Sequence, residues 1–85
     1  MHIIVLFCNN NNIKNIGTIP SKIRVLCCDN NEIETLGELP DTLKRLCCIN
    51  NNIKAIEKIP NKLTEFYYDG NIGLEINWNF NDQML

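Results

Sequence analysis

Sliding the sequence along itself by 20 residues brings like residues together at almost every fixed position. Ile3, Ile23, Leu43 and Leu63 align, then Leu6, Leu26, Leu46 and Phe66, then Cys8, Cys28, Cys48 and Tyr68. The same shift aligns Asn11, Asn31, Asn51 and Asn71, then Ile13, Ile33 and Ile53, then Ile16, Leu36 and Ile56. Ile19-Pro20, Leu39-Pro40 and Ile59-Pro60 close each unit. A period this short means that one unit cannot bury its apolar side chains alone, so the units must stack on one another.

The spacing within a unit divides it in two. Leu26 and Cys28 stand two apart and share one face of a strand, while Val25, Cys27 and Asp29 share the other. Beyond the asparagine the apolar spacing opens to three, as in Ile13, Ile16 and Ile19, which predicts a polyproline-like or 3₁₀ return path with one side inward. Proline fixes φ and biases the residue before it to extended geometry, so each Ile/Leu-Pro marks a bend back to the next strand.

The unit (I/L)xxLxCxxNx(I)xx(I/L)xx(I/L)P, running from residue 3 to about 71, resembles the leucine-rich repeat. The resemblance implies a repeat solenoid: a parallel sheet on the concave side, extended or 3₁₀ convex segments, and little or no helix. The chain then reads as one domain, 1–85, with repeats at about 3–22, 23–42, 43–62 and 63–73 and a cap at 74–85. The 20-residue, proline-marked form is similar to repeats of bacterial type III effectors and of open reading frames in large DNA viruses. The ubiquitin-ligase domain that follows such repeats in some effectors is not expected from these residues, and the resemblance carries over no catalytic role.

Stacking turns repeat-equivalent residues into columns. Asn11, Asn31, Asn51 and Asn71 have both a donor and an acceptor and are expected to satisfy backbone groups turned into the stack. Cys8, Cys28 and Cys48 take a framework position and are expected to be buried as small hydrophobes. On the concave sheet the first column is Val5, Val25, Arg45 and Glu65, the second Phe7, Cys27, Cys47 and Tyr67, the third Asn9, Asp29, Ile49 and Asp69. An exposed strand face is usually polar, yet here Val5, Phe7, Val25, Cys27, Cys47, Ile49 and Tyr67 are apolar or aromatic. An apolar centre with aromatic anchors and a charged edge predicts a surface that binds a protein partner.

Two other readings stay open. Met1 and His2 lead straight into the apolar run Ile3 to Cys8, whose uncovered edge predicts self-association into a homo-oligomer through strand 3–8 or the concave face. Cys27 and Cys47 stand side by side on adjacent strands, a spacing that suits a disulfide or two ligands of a metal site. Zinc would need more ligands than this pair supplies, and no cationic group near the thiols is evident from the sequence. Neither a metal nor a cofactor is expected. At the far end Glu75 to Asn81 alternates polar and apolar residues, which predicts a closing strand with Leu74, Ile76, Trp78 and Phe80 inward.

Composition narrows the remaining classes. A net charge of −2 gathers neither nucleic acid nor an anionic membrane. By segments of twenty the charge runs +1, −2, +2 and, over 61–85, −3, with Lys14, Glu34 and Lys54 alternating in sign down one column. Five cysteines cannot all pair, fifteen asparagines include no Asn-x-Ser/Thr, and the apolar start is shorter than a signal-peptide core. A reducing, cytoplasmic setting is expected. The single histidine and single serine, with no glycine-rich phosphate loop, point away from catalysis.

Overall fold

A computed structural model of the chain describes residues 4–76. Four short strands form one parallel sheet: β1 (Val5–Phe7), β2 (Val25–Cys27), β3 (Arg45–Cys47) and β4 (Glu65–Tyr67). They lie in the order β1-β2-β3-β4, each pairing only with its sequence neighbours. Leu6 faces Leu26, Leu26 faces Leu46 and Leu46 faces Phe66, so the register steps by one sequence period at each pairing. Repeat-equivalent residues therefore sit side by side.

Each strand ends where the chain turns through a left-handed residue. Asn10, Asn30 and Asn50 have φ of 61°, 59° and 57°, a region that asparagine visits more readily than most residues because its short amide bonds locally. Gly70 holds the same place after β4, with φ of 83°. At the other end of each unit the proline carbonyl closes a turn: Pro20, Pro40 and Pro60 accept from the N–H groups of Ile23, Leu43 and Leu63 at 3.2, 3.1 and 3.1 Å. That turn delivers Ile23, Leu43 and Leu63 into the interior, where all three are fully buried.

The core lies on one side of the sheet. Leu26 and Leu46 from the strands meet Ile33 and Ile53 from the segments beyond, with Cys28 and Cys48 filling the space between, all without solvent exposure. Each fully buried aliphatic side chain contributes about 1.5–3 kcal/mol over an exposed one. The core thins toward β1: Leu6, Cys8, Ile13 and Ile16 pack against it but remain only partly covered.

Of the two return paths that the three-residue spacing allows, polyproline-like or 3₁₀, the 3₁₀ path does not form among the described residues. Among the described residues there is no helix of any kind; the return segments hold only bends and one bridge, in which Asn15 pairs with Thr35 in parallel. Gly17 and Gly37, at φ of 81° and 70°, put a left-handed residue into the first two returns, which interrupts any right-handed run there; Glu57 holds that place in the third. Short side chains secure these bends: Asn15 Oδ1 accepts from Gly17 N at 2.8 Å and Thr35 Oγ1 from Gly37 N at 3.3 Å. Past β4, Leu74 and Ile76 pack on the core, but residues 74–76 form no strand. Trp78, Phe80 and the rest of the predicted closing strand lie outside the described residues, as do His2 and Ile3. No helix among the described residues is long and apolar enough to cross a membrane.

Candidate functional site

Which surface is left for function depends first on what the polar columns do within the fold. Asn51 is buried, and its Oδ1 accepts from Ile33 N at 3.0 Å while its Nδ2 donates to Cys28 O at 3.0 Å and Cys48 O at 3.2 Å. Asn31 makes the equivalent bonds, accepting from Ile13 N at 3.2 Å and donating to Cys8 O and Cys28 O at 3.0 Å. Asn71 accepts from Ile53 N and donates to Cys48 O and Tyr68 O. One amide thus ties two adjacent units together at three backbone groups, and around Asn51 those groups lie where water does not reach. Asn11, in the first described unit, is exposed; its side-chain amide donates to Cys8 O and Asn9 O, and its backbone N–H donates to Asn31 Oδ1 at 3.1 Å.

Two further ladders were not read from the sequence. Asn30 Nδ2 donates to Asn10 Oδ1 at 2.8 Å and Asn50 Nδ2 to Asn30 Oδ1 at 2.9 Å, an exposed amide ladder on the left-handed residues. In the third column of the sheet, Asn9 Oδ1 accepts from Asp29 N at 2.6 Å and Asp29 Oδ1 from Ile49 N at 2.7 Å. Ile49 interrupts that series because its side chain offers Asp69 no acceptor. The signal was present as a second asparagine column, 10, 30 and 50, directly before the framework asparagines.

With these removed, the face of the sheet turned from the core carries Val5, Val25, Arg45 and Glu65 beside Phe7, Cys27, Cys47 and Tyr67. Phe7 is 64% exposed, Val5 46% and Tyr67 44%. The expectation of exposed thiols is corrected: Cys27 and Cys47 are each only 4% exposed. They are small residues in the two middle strands, overshadowed by larger neighbours across the register, Phe7 on one side and Tyr67 on the other. Val25 and Ile49 are half-buried for a related reason, each lying in a middle unit with a neighbouring unit on either side. The exposed face therefore has an apolar end, Val5 and Phe7 on β1, and a polar aromatic end on β3 and β4.

At that polar end the Arg45 guanidinium lies 5.8 Å from the centre of the Tyr67 ring, and Tyr67 Oη donates to Glu65 Oε1 at 3.4 Å. Arg45 also reaches the Cys47 thiol, whose hydrogen bond raises the guanidinium further above its ordinary value. The thiols thus have a cationic neighbour after all. Burial, followed by the hydrogen bond to Cys47, pushes the Cys27 thiol up to about 12. Cys27 and Cys47 meet as a pair, yet no third histidine, cysteine or carboxylate joins them among the described residues. All five cysteines are free.

In the framework column Cys28 and Cys48 are fully buried, and desolvation raises both thiols, that of Cys48 to about 12. Cys8 departs from its expected burial: it is half-covered, because no unit stacks on its far side among the described residues. The alternating charges of Lys14, Glu34 and Lys54 form no ion pair among the described residues; Lys54 Nζ instead donates to Ile72 O at 3.1 Å. An open groove of about 830 Å³ follows the return segments, with Ile19, Leu39 and Pro40 in its wall and Glu38, Asp41, Glu57 and Lys58 at its margin. Its lining offers no nucleophile with an arranged base.

Comparison with protein-family models, with curated proteins and with solved structures gave no match.

Proposed function

We propose that the chain is a leucine-rich-repeat solenoid that holds a protein partner on the concave face of its sheet. The observation that carries this reading is the exposure of Val5, Phe7 and Tyr67 on the same sheet face as Arg45 and Glu65. Large side chains standing clear of a parallel sheet, beside an arginine, match the composition of binding hot spots. The hydrogen-bonded asparagine columns support it from the other direction: they hold the sheet as a preformed platform, so binding orders little backbone. The unpaired thiols suit a reducing compartment, and the reading places the protein in the cytoplasm.

The test is affinity capture with the wild type, with a Tyr67→Asp, Ile49→Asp double variant, and with Glu34→Lys on the opposite side as control. A partner retained by the wild type and the control but lost from the double variant supports the proposal. Equal recovery by all three rejects it.

A further inference from the structure

The first strand is unlike the other three. Leu26 and Leu46 have no exposed surface, whereas their register partner Leu6 is half-exposed, and Ile4, Val5 and Phe7 are among the exposed large hydrophobics of the described chain. The stack's interior is open here as well, through Cys8, Ile13 and Ile16. Proteins usually protect a sheet edge with charge, proline or a bulge. Lys14 is the one charged residue between 4 and 20, and it lies on the return segment rather than on the strand.

The backbone of β1 is self-complementary. Ile4 O accepts from Arg24 N at 2.7 Å and Val25 N at 3.1 Å, and Cys8 N donates to Cys27 O at 2.9 Å. Even-numbered residues thus spend their backbone groups on β2, and the alternation of a parallel ladder turns the N–H and C=O groups of Val5 and Phe7 toward the other edge, which no strand pairs with among the described residues. Two such edges meeting antiparallel about Leu6 set Val5 against Phe7 of the second copy, twice. Those are the residues whose groups are available, and an antiparallel hydrogen-bonded pair exchanges both bonds. The same register sets Val5 and Phe7 side chains against each other on the outer face and closes the two open cores on the inner one.

We infer that β1 is a homodimer interface at which two copies join by antiparallel pairing centred on Leu6, making one continuous sheet with a two-fold axis. This deepens the proposed binding function, because the apolar ends of the two faces merge at the axis into one platform flanked by two Arg45–Tyr67 groups. An isologous contact of this kind closes on itself and leaves no edge at the joint.

The experiment is sedimentation velocity of the full chain under reducing conditions over a wide concentration range. The wild type moves from the 9.8 kDa of one chain to twice that mass. Phe7→Pro deletes an N–H that β2 does not use, and so removes a hydrogen bond on each side of the axis; dimerisation weakens at least about thirty-fold. Tyr67→Asp, on the far strand, leaves dimerisation unchanged, which separates this inference from the failure of partner binding. Register is read with Ile4→Cys: the centred pairing puts it opposite Cys8 of the second copy in a non-hydrogen-bonded pair, about 4.5 Å between Cα atoms, so air oxidation gives a covalent dimer. A wild type that is monomeric throughout overturns the inference. So does a dimer that survives Phe7→Pro and gives no crosslink with Ile4→Cys.

Discussion

Asn51 and Asn11 occupy the same place in the repeat but should differ sharply in what they hold. Replacing Asn51 by alanine strips Ile33 N of its acceptor in a site water does not reach, and takes one donor each from Cys28 O and Cys48 O, which keep Asn31 and Asn71. An orphaned buried N–H costs about 1–3 kcal/mol, and each lost hydrogen bond about 1 kcal/mol more. The expected loss is therefore about 3 kcal/mol or more, against a total stability of roughly 4–13 kcal/mol for a chain of this length. In a thermal melt followed by circular dichroism, Asn51→Ala lowers Tm by roughly 12–24 °C. Asn11→Ala, which loses exposed bonds only, loses about 1 kcal/mol or less. Asn51→Asp keeps the acceptor for Ile33 but turns an oxygen toward two carbonyls; a buried carboxylate there is worse at pH 7 than at pH 4, where protonation restores a donor. Equal losses for Asn51→Ala and Asn11→Ala would refute the reasoning, since the columns would then not be what binds unit to unit.

A Cβ at Gly70 would collide with the Asn50 side chain, whereas one at Gly37 meets open space; both have positive φ, so Gly70→Ala should destabilise more than Gly37→Ala in urea unfolding. Cys28 and Cys48 should resist iodoacetamide in the folded protein, with Cys8 alkylated first among the framework cysteines, as peptide mapping would read. Burial raises the Cys28 and Cys48 thiols above the unfolded value of 9.0, so the stability this represents is complete below about pH 9 and is lost as pH rises toward the folded values. The urea midpoint should fall between pH 8 and 10, and fall less in a Cys28→Ala, Cys48→Ala variant.

The parallel sheet, and the absence of helix among the described residues, follow from residues that can be pointed to. Leu6, Leu26, Leu46 and Phe66 are one period apart, and no unit leaves room for a helix between its strand and its proline. What escaped was of two kinds. Alternation tells which face Cys27 and Cys47 take but not how high Phe7 and Tyr67 stand beside them, so small side chains on an open face came out buried. Asparagine fills so many positions in this sequence that the ladder of Asn10, Asn30 and Asn50 did not stand out from the framework column beside it.

The central claim is that the face bearing Phe7 and Tyr67, rather than the return segments, meets the partner. A photo-reactive benzoylphenylalanine placed at position 67, and separately at the exposed position 34, tests it in the cell. One discrete crosslinked protein from position 67 and none from position 34 is the predicted result. Crosslinking from position 34 alone, or to the same protein equally from both, would contradict the account.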